Sequence, residues 1–140
     1  MKPIRIKGDL HEDERGLLRF VNDLDMKHIR RFYTIRHKVT STIRAWQGHR
    51  HESKWFFVIK GAFEVVVIKP DNWEQPSTDL PRERFNLSEE ATEVLIIPAG
   101  HINGFKASRP DSEMMVFSDK SLQESKRDDY RFPLKYWDFK

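Results

Sequence analysis

The chain has 140 residues, of which 38% are hydrophobic and 34% charged, and its formal net charge is +3. This length predicts a single domain over residues 1–140, with a core that needs no covalent staples. The absence of cysteine excludes disulfide frameworks, thiolate nucleophiles and cysteine-ligated metals. Charges of both signs are interspersed, which argues against a nucleic-acid partner and suits a small anionic ligand.

Apolar runs in the sequence are short. The longest, at residues 55–59 and 65–68, fall far below the roughly 20 residues of a membrane-spanning helix. The first residues show no apolar stretch typical of a signal peptide. We therefore expect no membrane association and a cytoplasmic location.

Short runs of β-branched and aromatic residues, separated by turn residues, dominate the chain. Nine runs are predicted to be strands, at residues 17–22, 29–36, 41–47, 54–59, 62–68, 82–87, 94–97, 103–106 and 114–118. The two runs that flank Lys60 and Gly61 predict a β-hairpin with Gly61 in its turn. One short helix is expected near Ser121–Asp129, where Ser121 and Glu124 form a capping-box pattern. The pattern as a whole predicts an all-β sandwich or barrel.

The C-terminal segment, residues 131–140, carries four aromatic residues. Chain ends are usually polar and loosely held, so these rings must be covered by another surface. We expect them to pack on the chain's own sheet, and a contribution to a dimer interface is the alternative.

The only close alternating pair of histidines is His49 and His51. On a regular strand, residues i and i+2 point to the same face, so both imidazoles could enter one pocket. The same alternation would place Arg44 with Trp46 on one face, and Gln47 with His49 on the other. A neutral imidazole can take a proton from a carbon beside a carbonyl near neutral pH.

Three cations, Arg44, Arg50 and Lys54, lie on or beside the same predicted strands. Cations clustered around a histidine suit a ligand that carries a diphosphate. Ordinary surface ion pairs are the alternative for Arg44 and Lys54. Tyr33 lies in an alternating strand and is either a packed ring or a proton donor.

Several segments carry motifs that occur together, and in this order, in a known family. Asp13–Leu18 is similar to Asp-x-Arg-Gly-x-Leu, Ile29–Tyr33 to Ile-Lys-Arg-Val-Tyr, and Arg44–Lys54 to Arg-Gly-x-His-x-His. Pro98–Phe105 is similar to Pro-x-Gly-Phe-x-His-Gly-Phe. These motifs resemble those of sugar-nucleotide 3,4-ketoisomerases and dTDP-4-keto-6-deoxyhexose 3,5-epimerases, a metal-independent branch of the cupin superfamily.

The resemblance implies a cupin jelly roll of two antiparallel sheets, with substrate in the barrel mouth and usually a homodimer. It implies an isomerase that acts on a dTDP-linked or other nucleotide-linked 4-keto-6-deoxysugar, without metal or other cofactor. The two histidines of the family motif fall on Gln47 and His49, and the later one falls on Asn103.

On this resemblance, His49 is expected to be the base, Tyr33 the acid, and Gln47 or Arg44 the donor to the developing oxyanion. The expected substrate-binding residues are Arg44, Arg50, His51, Lys54 and Asn103.

Two alternatives stay open. Gln47 favours a non-catalytic sugar-nucleotide-binding cupin, because an amide can position a hydroxyl group but cannot accept a proton. A metal-dependent cupin enzyme would depend on His49, His51 and His101, with Glu52 as a further ligand.

Overall fold

The computed structural model describes residues 1–140, with 49% in strands and 6% in helices. The elements in chain order are β1 (Ile4–Lys7), β2 (Asp9–Asp13), β3 (Gly16–Phe20), β4 (Arg31–His37), β5 (Ile43–His49), β6 (Lys54–Lys60), β7 (Ala62–Ile68), β8 (Glu83–Ser88), β9 (Glu93–Ile97), β10 (His101–Ala107), β11 (Ser112–Ser118), α1 (Leu122–Lys126), β12 (Tyr130–Arg131) and a 3₁₀ turn (Leu134–Tyr136).

Two five-stranded antiparallel sheets face each other. The first has the order β1-β9-β6-β11-β4, the second β12-β5-β10-β7-β8, and β2 pairs with β3 in a separate hairpin. The predicted all-β fold with two antiparallel sheets is confirmed. Each of the nine predicted strands corresponds to an observed strand, whereas β1, β2 and β12 were not predicted.

The predicted hairpin around Gly61 is wrong, although Gly61 is a turn residue. β6 pairs with β9 and β11 in the first sheet, and β7 pairs with β8 and β10 in the second. Only Gly61 separates the two strands, with φ of 77°. Hairpin loops most commonly have two residues, and this single residue instead carries the chain from one sheet to the other.

Two hydrophobic clusters stabilise the sheets. The larger one contains thirteen buried residues from both sheets, among them Phe56, Phe63 and Phe105, and fills the space between them. The smaller one lies on the outer face of the second sheet, around Trp46 and Ile102. The fold therefore has a core between its sheets and a second apolar layer outside one of them.

The C-terminal segment covers this outer cluster. Trp137 and Phe139 are buried there, and the ring of Trp137 meets Trp46 edge-on at 5.7 Å between centroids. The indole N–H of Trp137 donates to the carbonyl of Ser77 at 3.0 Å. The expectation that the C-terminal aromatics pack on the chain's own sheet is confirmed.

The short helix α1 begins at the predicted capping box. The backbone N–H of Glu124 donates to Ser121 Oγ at 3.2 Å, and the backbone N–H of Ser121 donates to Glu124 Oε1 at 2.9 Å. These two bonds satisfy N–H groups that the first turn of a helix leaves unpaired. No helix of the structure has the length and hydrophobicity needed to cross a membrane.

The crossing between the sheets at Gly61 should tolerate no side chain. An added Cβ there would lie 2.1 Å from Ser112 Oγ, whereas at Gly100, which also has positive φ (88°), it would meet nothing within 4 Å. Left-handed backbone alone predicts a loss of about 1 kcal/mol for Gly100→Ala. In Gly61→Ala, the overlap of the new Cβ with Ser112 adds to this loss. The free energy of unfolding in urea should then fall by about 3 kcal/mol in total. Equal losses for the two variants would contradict this account of the crossing.

Candidate active site

A cavity of about 840 Å³ opens between the two sheets. Its walls come from β4, β6 and β11 of the first sheet and β5 and β10 of the second, and α1 and the residues after it close one side. This volume lies within the range of small-molecule binding sites.

The charged side chains that line this cavity are almost all cationic. Its one acidic residue is Asp129. The cationic residues are Arg31, Arg36, Arg44, Lys54, Lys126 and Arg131. Because a cleft lined by one sign of charge focuses its field, the cavity attracts an anionic ligand.

The structure brings five of the eight predicted site residues together. The cavity wall includes Tyr33, Arg44, Gln47, Lys54 and Asn103. It does not include His49, Arg50 or His51.

Lys54 and Tyr33 form a hydrogen-bonded pair in the cavity wall. Lys54 is only 5% exposed, and its Nζ donates to the hydroxyl oxygen of Tyr33 at 2.7 Å. The guanidinium of Arg31 lies over the Tyr33 ring, 5.3 Å from its centroid. Lys54 therefore does not form an ordinary surface ion pair, and the Tyr33 hydroxyl is held in a strongly cationic environment.

β5 is irregular where it borders the cavity. Arg44 pairs with Phe105 of β10, and Gln47 pairs with Asn103. Between these two pairs β5 therefore has one residue more than β10. All four residues from Arg44 to Gln47 border the cavity, but Ala45 and Trp46 pack on the outer cluster, whereas Arg44 and Gln47 bond to His37 and Asp129. The predicted alternation that paired Arg44 with Trp46 is wrong, because the extra residue shifts the pleat.

Neighbouring side chains hold both of these cavity residues. The Nε of Arg44 donates to Nε2 of the buried His37 at 3.0 Å. The amide of Gln47 donates to Asp129 Oδ1 at 2.9 Å. Both contacts limit the rotamers of groups that face the cavity.

His49 is buried at the end of β5, next to the cavity residues of that strand. It is 2% exposed, and its Nδ1 lies 2.6 Å from the carbonyl oxygen of Asp128. A carbonyl only accepts, so Nδ1 carries the hydrogen and Nε2 keeps its lone pair. Nε2 is buried and has no hydrogen-bond partner. Burial, with a smaller contribution from Lys54, lowers the pKa of His49, which keeps the ring neutral at pH 7.

The prediction that His49 and His51 share a face is wrong. β5 ends at His49, and His51 lies in the following turn, exposed to solvent, as does Arg50. The period of two applies only within a regular strand. His51 and Arg50 therefore lie away from the cavity that they were expected to serve.

Asp128 holds this turn in place. Its Oδ1 accepts the backbone N–H of Arg50 at 2.8 Å, and its Oδ2 accepts those of His51 and Glu52 at 2.8 and 2.9 Å. A carboxylate that accepts several backbone N–H groups forms strong charge-assisted bonds. The turn after β5 is thereby fixed to the segment that follows α1.

Glu52 is a buried acidic residue of the site that the sequence suggested only as a metal ligand. Its Oε2 accepts the hydroxyl of Ser118 at 2.5 Å and lies 3.5 Å from Arg31 and 3.8 Å from Lys54. Its Oε1 lies 3.4 Å from His49 Nδ1. Its position three residues after His49, in a turn, was the only local signal for this role.

Solved structures of known proteins resemble this one closely. A 3,4-ketoisomerase from Helicobacter canadensis matches with a TM-score of 0.74 and 16% identity, covering 97% of this chain and 95% of its own. A sugar 3,4-ketoisomerase from Thermoanaerobacterium thermosaccharolyticum, in complex with TDP, matches with 0.73 and 16% over 96% and 91%. A dTDP-4-dehydrorhamnose 3,5-epimerase from Bacillus anthracis matches with 0.73 and 19% over 91% and 76%.

The chain has the cupin fold of these enzymes. This confirms the fold that the sequence motifs implied, over nearly the whole chain. No protein-family model matches the sequence, and no curated protein matches it.

The donor atoms near His49 decide whether the alternative of a metal site fits this structure. His49, Glu52 and Asp128 each offer an atom within 4.8 Å of the others. The Asp128 oxygens already accept three backbone N–H groups, and Glu52 faces Arg31 and Lys54. These neighbours neutralise the carboxylates, so the group fits a buried ion-pair cluster better than a cation site.

The expected metal ligands His49, His51 and His101 do not form one group. His51 is exposed, whereas His101 is buried and its Nδ1 lies 2.8 Å from the carbonyl oxygen of Pro98. The structure therefore does not assemble the three histidines on which the alternative metal site depended.

Three buried histidines should make the stability of this protein sensitive to mild acid. Burial is the largest cause that lowers the pKa of His37, His49 and His101. The unfolded chain therefore binds more protons just below pH 6.5, so stability is complete above that pH and falls with acidification. For each histidine, the free energy of unfolding should fall by at most about 1.4 kcal/mol per pH unit. Urea unfolding at pH values between 7.5 and 5.5 measures this loss.

His37→Gln should reduce this pH dependence, and the exposed His28→Gln provides the matched control. Stability that stays constant or rises between pH 7.5 and 5.5 would contradict the buried neutral histidines.

Proposed function

We propose that this protein is an isomerase of the 3,4-ketoisomerase or 3,5-epimerase type, acting on a nucleotide-linked 4-keto-6-deoxysugar. The observation that carries the proposal is the cationic cavity with the buried Lys54–Tyr33 pair in its wall. The same fold in sugar-nucleotide isomerases, including one in complex with TDP, supports it.

The distribution of cations suggests how the substrate lies. Four of the six cavity cations are exposed: Arg36, Arg44, Lys126 and Arg131. They are suited to the diphosphate, with guanidinium groups that can bind its oxygens in pairs. Lys54 is buried and Arg31 half-buried. On this proposal, the keto-sugar lies in the deeper part of the cavity, beside these two residues. Gln47 and Asn103, paired across β5 and β10, provide amides for its hydroxyl groups.

The proposed reaction starts with removal of a proton from the carbon next to the carbonyl. His49 Nε2 has the free lone pair for this step, and the electrons of the broken C–H bond form an enediolate. Lys54, with Gln47 or Arg44, stabilises the negative oxygen as a fixed donor. Tyr33 gives its hydroxyl proton to the old carbonyl oxygen and takes one back from the neighbouring hydroxyl as the new carbonyl forms, and His49 returns its proton to the former carbonyl carbon. These steps are redox-neutral overall.

This mechanism makes a structural demand. Reacting atoms must approach to about 3.5 Å, and Nε2 is buried outside the cavity wall. The wall beside Gln47 therefore has to open when the sugar binds.

Solvent exchange tests the proposal directly. Purified protein incubated with dTDP-4-keto-6-deoxyglucose in deuterated water should yield a new sugar or carbon-bound deuterium, detected by NMR and mass spectrometry. His49→Asn should lower this rate by about 100-fold or more, the usual scale for loss of a general base.

The matched control is His51→Asn, at an exposed residue, which should lower the rate much less than His49→Asn does. Equal losses in the two variants would move the base away from His49. Absence of both deuterium and a new sugar with the wild-type protein would refute this substrate.

A non-catalytic sugar-nucleotide-binding protein is the second candidate. It is favoured by Gln47, which occupies the cavity wall and cannot accept a proton, and by the position of His49 outside that wall. Tight binding of the nucleotide sugar without solvent exchange would support this candidate over the isomerase.

We also propose that the protein forms a homodimer. β4 is an edge strand, and its Phe32 is 63% exposed, beside Phe117 at 6.0 Å between ring centroids. Leu17 and Leu18 of β3 are exposed as well. An exposed apolar ring on an edge strand, with further exposed apolar residues on the β2–β3 hairpin, favours association, which the molecular mass in solution will test.

A further inference from the structure

Glu52 is a fully buried carboxylate to which the mechanism above gives no task. Its side chain has no exposed surface, and it lies in the turn between β5 and β6. Burying an ionised carboxylate is costly unless charged or hydrogen-bonding partners compensate it. Because this burial is costly and Glu52 lies beside the candidate site, a function of its carboxylate should depend on the neighbouring groups.

Groups from four strands meet at this carboxylate. Oε2 faces Arg31 of β4, Lys54 of β6 and the hydroxyl of Ser118 of β11. Oε1 faces His49 of β5 and has no hydrogen-bond partner of its own. The two oxygens therefore divide between the base on one side and the cations of the cavity wall on the other.

We propose that Glu52 is a positioning carboxylate that prepares His49 as the base and holds Lys54 against Tyr33. The inference rests on the proposed isomerase function, which it deepens by adding a residue. Glu52 itself neither touches the sugar nor changes its own protonation.

The charges that arise during proton transfer explain this role. When the C–H proton moves to His49 Nε2, the ring becomes an imidazolium whose Nδ1 lies 3.4 Å from Glu52 Oε1. At the same moment the sugar oxygen becomes negative near Lys54. Glu52 stabilises the new cation and anchors the lysine, and both new charges disappear when the proton returns to carbon.

Glu52 also acts against the groups that lower the pKa of His49. Burial and the charge of Lys54 lower the pKa of His49, and the carboxylate of Glu52 raises it. The titratable or charged residues around His49 are Glu52, Lys54, His101, Asp128 and Asp129. Without Glu52, the ring would face Lys54 with less compensation and would be a weaker base.

Glu52→Gln removes the charge and keeps the shape. We expect kcat to fall by up to about 100-fold, since Glu52 acts through His49 and its loss cannot cost more than the loss of that base. KM and the Kd for dTDP should change by less than about threefold, because the exposed cations that bind the diphosphate are untouched. Glu52→Asp, which retains the carboxylate, should recover part of kcat. Glu64→Gln is the control, since Glu64 is half-buried, lies 3.6 Å from Arg84 and is outside the cavity.

NMR of the histidine rings gives a readout that needs no substrate. The pKa of His49 should be lower in Glu52→Gln than in the wild-type protein and unchanged in Glu64→Gln. In the wild-type protein, ¹⁵N shifts should show the Nδ1–H tautomer that the Asp128 carbonyl requires. If Glu52→Gln fails to fold, the same titration in Glu52→Asp, whose shorter side chain moves the carboxylate away from His49 Nδ1, should still show a lowered pKa of His49.

The outcomes separate the two proposals. A folded Glu52→Gln with wild-type kcat and an unchanged His49 pKa would overturn the role of Glu52, as would an Nε2–H tautomer in the wild-type protein. A wild-type protein without turnover would refute the isomerase, whereas a shifted His49 titration would still establish that Glu52 controls the ring.

Discussion

The geometry of the candidate site depends on one carboxylate, Asp128. It accepts three backbone N–H groups of the turn after β5, from residues 76 to 78 positions earlier in the chain. Its carbonyl also orients His49. An unpaired N–H group shielded from water, such as that of the buried Glu52, would be costly, so this contact fixes where β5 ends and β6 begins. The positions of His49 and Glu52 follow from it.

Charge is arranged around this anchor in two zones. Exposed cations such as Arg44 and Arg131 face solvent at the cavity, where hydration limits their mutual repulsion. Deeper in the fold, Lys54 and Arg31 lie near a carboxylate, Glu52, because buried charges require partners. The outer zone suits an anion that arrives from solution, and the inner zone suits charge that forms and disappears during a reaction.

Local patterns predicted the strands and the helix cap, because β-branched runs and a capping box are properties of neighbouring residues. Partners distant in sequence decided the rest. The chain changes sheets at Gly61 because β6 and β7 find other partners, and the shift in β5 depends on its pairing with β10. Arg44 and Gln47 both line the cavity, although the alternation of a regular strand had placed them on opposite faces. Glu52 gains its role only through contacts with other strands.

The most direct test of this account is a crystal structure of the protein with bound dTDP. The account predicts that the diphosphate lies in the cavity against exposed cations such as Arg44. It also predicts that the terminal phosphate, which carries the sugar in the substrate, is directed toward Lys54 and Tyr33. A diphosphate bound outside this cavity, or a terminal phosphate directed away from Lys54, would contradict it.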